Sequence, residues 1–207
     1  MLSFGGSGQL AKTMVYSKWK GVPYARQYVI PANPNSAGQQ ATRGVFKYAS
    51  AIMKLAGSNL SAVWTAYASG KPLTQRNAFM QANIKALRSQ DENTDMVFSS
   101  GANGGIAAAA LASAVAAKVI TITLTAPVLP DGWTIAQAVG IATLQQDPET
   151  YTDARTYEAV DATDAYAPAV TVPADGTYVI GGWFKYTKSN GGIAYGPALS
   201  ATAVVAA

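Results

Sequence analysis

The chain has 207 residues, 49% of them apolar and 13% charged, a formal net charge of +4, and neither cysteine nor histidine. That length suits one large or two small domains, and so much apolar content excludes disorder throughout. The missing residue types exclude disulfides, thiolate metal sites and any Ser-His-Asp or Cys-His nucleophile.

The net charge conceals a split. Residues 1–118 carry twelve Lys/Arg and three Asp/Glu, a net of +9, whereas residues 119–207 carry three and eight, a net of −5. A charged fraction well below the usual ~25% means a surface that is either solvated by Ser, Thr, Asn and Gln or covered by partners, and it favours an assembly protein. The N-terminus lacks the charged start and apolar run of a signal peptide. The longest apolar run, residues 106–117 interrupted by Ser113, is too short to span a membrane. The expectation is a chain made in, and soluble in, a cytoplasm, without membrane contact.

Residues 1–13 are rich in glycine and serine and read as a flexible arm. Strands are predicted at residues 14–19 and 24–30, flanking a turn at Lys20-Gly-Val-Pro23. A first helix is predicted over 36–55, capped by Asn35 or Ser36, with Val45, Tyr48, Ala49, Ile52 and Met53 inward and Arg43, Lys47 and Lys54 sharing another face. Gly57 ends it. A second helix, capped by Ser58 or Asn59, sets Leu60, Val63, Trp64 and Tyr67 on one side and stops at Gly70-Lys-Pro72. A third runs from a Thr74 cap to Arg88 with Met80, Ile84 and Leu87 inward. Together they predict a small bundle around Trp64, Phe46 and Phe79, which buries little area by itself.

Residues 89–105 are polar and glycine-rich and read as a linker. Residues 107–117 favour helix by alanine content and strand by context, and strand is preferred. Period-two patterning follows over 119–125, 133–141, 151–159, 168–172, 177–188 and 193–205, with Ser189-Asn-Gly-Gly192 a hairpin signal. About seven strands in roughly 100 residues describe an antiparallel β-sandwich. The expected fold is α+β in two domains: a basic hairpin-plus-three-helix docking domain over 14–88, and a seven-stranded sandwich over 106–207.

Two resemblances sharpen this reading. Val170-Thr-Val-Pro-Ala-Asp-Gly-Thr-Tyr178 before a long strand, with Val119-Ile-Thr-Ile-Thr-Leu-Thr-Ala-Pro127 upstream, resembles a fibronectin type III or immunoglobulin-like domain. The resemblance implies that Tyr178 is a tyrosine corner bonding back to backbone. It departs from the family in lacking the usual core tryptophan, a role left to Leu124. Residues 14–88 resemble a small domain of uncharacterised bacteriophage structural proteins, through Lys20-Gly21 with Tyr24 and Arg26, Pro31-Ala-Asn-Pro-Asn-Ser36 with Gln39, Arg43 and Phe46, Trp64, and Gly70-Lys-Pro-Leu-Thr74 with Asn77, Phe79 and Asn83. That implies a component of the virion without an enzymatic activity.

The carboxylates Asp147, Glu149, Asp153, Glu158, Asp161 and Asp164 read as solvated loop groups rather than a glycosidase pair or a calcium site, and no cofactor or metal is expected. The basic half, with Tyr16, Trp19, Tyr24 and Tyr28, has the charge and stacking faces for nucleic acid, yet carries no nucleic-acid motif, and docking on acidic protein is the stronger reading. Alternation puts Trp183 and Phe184 on opposite faces, so one is expected to point outward, either under a covering domain or toward a partner or glycan. Lys20, Arg26, Arg43, Lys47, Lys54 and Trp183 are thus the candidate docking residues. The expected role is a capsid decoration or neck/collar accessory protein; a tail or baseplate component or a host-surface binding module is the alternative. Other virion proteins are the expected partners, and a homo-oligomer the expected state.

Overall fold

The computed structural model describes residues 8–19, 22–30, 32, 35–89, 95–148, 151 and 154–206. Over those residues the fold is α+β, with three helices and antiparallel sheets, and the chain's contacts divide it into two compact units, residues 1–36 and 37–207.

The first unit is a three-stranded antiparallel sheet of β1 (Gly8–Leu10), β2 (Met14–Trp19) and β3 (Val22–Gln27). Residues expected to form a flexible arm are therefore partly strand. The β1–β2 turn closes with the Thr13 amide donating to the Leu10 carbonyl at 2.9 Å, Ala11 and Lys12 both lying at positive φ.

The second unit has three layers. Helices α1 (Ala37–Leu55), α2 (Ser58–Ala68) and α3 (Gln75–Ser89) form the first. The expected Thr74 cap is present, its hydroxyl accepting from the Asn77 amide at 3.2 Å. The middle layer is a six-stranded sheet. Its order is β4 (Ser100–Ala102), β11 (Ile193–Pro197), β10 (Gly176–Thr187), β7 (Thr134–Leu144), β8 (Thr156–Asp161), and β12 (Leu199–Val205) also pairs with β10. Strand β10 is long enough to hold two neighbours on one edge, residues 176–182 pairing with β12 and 185–187 with β11. The third layer is the sheet β5 (Ala110–Ala116), β6 (Val119–Thr125), β9 (Ala169–Thr171). Residues 110–116 are thus strand, as context predicted.

Two cores hold these layers. Between helices and middle sheet lie Tyr48, Ile52, Trp64 and Phe79 with Val139, Ile141, Val179 and Trp183. Between the two sheets lie Ile120, Ile122 and Leu124 with Tyr178, Ile180, Phe184 and Tyr186. The alternation within β10 sends odd-numbered residues to the first core and even-numbered ones to the second.

Three expectations change. The strands facing each other are six and three, not seven in one sandwich. The helices do not group with the N-terminal hairpin; they cover the middle sheet, because three short helices lack the apolar area to close a core alone. The expected linker is structural from Met96 onward. Met96 and Phe98 are buried, Trp64 Nε1 donates to the Phe98 carbonyl at 2.9 Å, and Ser99 Oγ donates to the Gly196 carbonyl at 2.6 Å. Asn83, buried in α3, clamps the segment: its Nδ2 donates to the Val97 carbonyl at 3.0 Å and its Oδ1 accepts from the Val97 amide at 2.6 Å.

The β5–β6 hairpin turns through Ala117 and Lys118, both at positive φ, between the paired Ala116 and Val119. Such a two-residue turn favours Asn-Gly, since a Cβ in the left-handed region is strained. Replacing Ala117→Asn and Lys118→Gly together is expected to stabilise the fold by about 1 kcal/mol, read as a higher urea midpoint. The exposed Lys118–Asp175 ion pair at 3.6 Å that is lost offsets little of this.

Candidate interaction surfaces

The sequence concentrates cations on α1 at helical spacing, and the fold turns them outward. Arg43, Lys47 and Lys54 are exposed on one face of the helix. Lys47 Nζ lies 5.5 Å from the centroid of the Tyr151 ring, which packs edge-on against buried Tyr48 at 5.0 Å. Beside this face runs a groove of about 350 Å³ between α1 and α3, lined by Phe46, Arg76, Asn77, Met80, Gln81 and Ile84. Phe46, expected in the core, is 46% exposed, because it falls one position off the buried row Val45, Tyr48, Ala49, Ile52. The inward row of α3 is likewise Ala78, Phe79, Asn83 and Leu87, which leaves Met80 and Ile84 half-buried on the groove.

The other predicted docking residues are placed elsewhere. Arg26 is exposed on β3 of the first unit, and Lys20 lies outside the described residues. In that same sheet Tyr24 is exposed and Tyr16 and Tyr28 half-buried; the Trp19 side chain lies outside the described residues. Trp183 is a correction. Its ring is fully buried beneath the helices, so in this conformation it meets no partner or glycan. The reason is the third layer: a sheet covered on both faces has no outward side, and both Trp183 and Phe184 are interior.

The acidic loops are locally engaged. Asp161 Oδ1 accepts from the Thr163 amide at 2.8 Å and the Thr163 hydroxyl at 2.6 Å, and Oδ2 accepts from the Ala167 amide at 2.7 Å. Those bonds, the Thr163 hydroxyl first, hold its carboxyl below the usual range. Glu149 and Asp153 lie outside the described residues, and among the described residues no three acidic groups come together around a cation-sized space. The described helices include none long and apolar enough to cross a membrane.

Glu158 is the exception among the carboxylates. Gly57 caps α2 without a side-chain bond, and the first turn of α2 contains no acid. Glu158 of β8 supplies the negative charge instead, against the positive end of the helix. A Cβ on Gly57 would fall on its Oε2, so a larger residue there would push the carboxylate aside. Burial raises its pKa above the ordinary 4.5, and the Asn59 side chain and the amides of Asn59, Gly57 and Leu60 pull it part of the way back. Neither oxygen receives a well-aligned hydrogen bond.

The folded state therefore holds this proton more readily than the unfolded chain does. Its contribution is full below the ordinary value of 4.5 and lost as pH rises through the raised folded pKa. Glu158→Gln is expected to flatten that loss and to raise the urea midpoint at neutral pH. Denaturation of both proteins from about pH 4.5 to about pH 8 reads the difference as a converging pair of curves on the acid side.

Compared with known proteins, the chain matches no family model, no curated protein and no solved structure.

Proposed function

We propose that this chain is a non-enzymatic structural protein of a bacteriophage particle, a capsid decoration or neck/collar accessory. It would dock through its basic N-terminal half and project the paired β-sheets. The observation that carries the reading is the distribution of charge over an uncovered surface. The first 90 residues contain eleven Lys/Arg and no Asp/Glu. Their exposed faces combine cations with apolar groups, Phe46 and the half-buried Met80 and Ile84 on the helices and Leu10, Met14, Val22 and Tyr24 on the N-terminal sheet. Exposed apolar surface rimmed by charge marks interfaces between proteins. The resemblance of residues 14–88 to a phage structural domain supplies the particle.

The same proposal takes the paired sheets as fibronectin III-like. Support comes from the strand orders β5-β6-β9 and β8-β7-β10-β12, an arrangement of three facing four once β4 and β11 are set aside as additions. It comes also from Tyr178, which is buried and donates its hydroxyl to the Ala174 carbonyl at 2.9 Å, the corner that the resemblance implies. The host-surface alternative loses Trp183 as a contact, since that ring is buried, and is left with the sandwich loops.

Proteomics of gradient-purified particles tests the assignment. The protein should be recovered at a fixed stoichiometry to the major capsid protein through successive gradients. Presence in the lysate with absence from the particles would refute it.

A further inference from the structure

The N-terminal sheet is a structure without a core. Among the described residues of the first unit none is fully buried. Directly opposite residues share a face, so Leu10 and Met14 lie on one side with Tyr16, and Val22 and Tyr24 on the other with Arg26. Apolar groups are exposed on both sides: Leu10 at 57%, Met14 at 38%, Val22 at 66% and Tyr24 at 41%. Beyond the strands Val29 and Ile30 are exposed as well. The outer edges of β1 and β3 have no neighbour strand among the described residues. A three-stranded sheet of this size needs one buried face to be stable in water, and open edges invite pairing. The unit is built to be covered.

Charge selects the cover. Residues 1–36 hold Lys12, Lys18, Lys20 and Arg26 and no acid, so a neutral or basic surface would leave four cations unmatched. All eleven Asp/Glu of the chain fall between residues 91 and 207, and Asp131 and Asp164 stand exposed on loops of the paired sheets. Docking on the helical layer is disfavoured, because that layer is itself purely basic between residues 37 and 89.

We propose that the arm of one copy docks on the acid-bearing β-layers of a second copy. The contact is heterologous: the donor surface and the acceptor surface differ, so each copy can give one arm and receive another. Repetition closes into a ring where the rotation allows and otherwise extends as a row. This rests on the docking reading above and names the partner as the chain itself.

Mass photometry and sedimentation of the full chain test it, with Lys18→Glu/Arg26→Glu as an arm variant and Asp131→Lys/Asp164→Lys as an acceptor variant. All four positions are exposed, and unchanged circular dichroism and melting establish that both variants fold. The wild-type protein should form higher oligomers that weaken about tenfold or more between about 50 mM and about 500 mM salt. Each variant alone should be monomeric. Mixing the two should restore association, because the intact arm of one variant meets the intact acceptor surface of the other and the reversed arm and reversed acceptor are again opposite in sign at the substituted positions. A monomeric wild-type protein at low salt, or variants that oligomerise like the wild type, would overturn the proposal. So would a wild-type monomer that binds single-stranded DNA through the arm, or one recruited only by another particle protein. The two readings fail separately: self-association in a protein absent from particles refutes only the virion assignment, and a particle-bound monomer refutes only the self-docking arm.

Discussion

Trp183→Ala is expected to destabilise residues 37–207 by about 3–5 kcal/mol and to melt the helices and sheets in one transition. The ring is fully buried between the helical layer and the middle sheet, in one core with Trp64, Phe79, Val139 and Val179. Its loss removes a large apolar side chain and leaves a cavity whose walls belong to different layers. Most domains are stable by only about 5–15 kcal/mol, so such a loss takes a large share. The indole Nε1 is buried without a partner, so no hydrogen bond is lost with the ring, and Trp183→Phe should cost distinctly less. Urea unfolding followed by far-ultraviolet circular dichroism and by the fluorescence of the remaining tryptophans should give coincident, down-shifted curves. A helix signal that melted independently of the mutation would mean that the helices form a domain of their own.

Gly196→Ala carries the second large effect, about 3 kcal/mol or more, because the obstruction is backbone rather than a side chain free to swing away. A Cβ at Gly196 would fall on the carbonyl oxygen of Ile106, and one at Gly105 on the carbonyl of Tyr195. The two segments approach so closely that each needs glycine opposite the other. The Ile106 carbonyl is held there from a second side by the Tyr186 hydroxyl at 2.7 Å, whose pKa burial pushes up to about 12. The variant should lose stability without losing helix content at low temperature, and its melting point shows the loss.

Local patterns carried much of this fold. The amphipathic rows of α1 and α2, the Thr74 cap, the alternation over Val119–Thr125 and the Asn-Gly turn at Ser189–Gly192 each contain their own instruction, and each is found where its pattern lies. What was not legible is non-local. Residues 139–143 and 178–184 are buried without a break, a near-continuous run that belongs to strands covered on both faces. Taking one face of the alternating strand as open put either Trp183 or Phe184 outward, whereas both faces are covered. The polar stretch after residue 95 becomes part of the core only because Asn83 and Trp64 reach its carbonyls from distant helices. The Ala-Lys turns at 11–12 and 117–118 lack the glycine that would announce them, and so β1 passed for a loose arm. The proposed docking surface was half legible: the cations of α1 were evident from spacing, while the Phe46 groove depends on a one-residue rotation that periodicity does not resolve.

Cryo-electron microscopy of the native particle would locate this chain and its neighbours. Density is expected on the capsid shell or neck, with the basic helical face toward the particle, the paired β-sheets outward, and each N-terminal sheet lying against the β-layers of an adjacent copy. Density with the β-sheets buried in the particle and the helices outward, or particles without any density for the chain, would contradict that expectation.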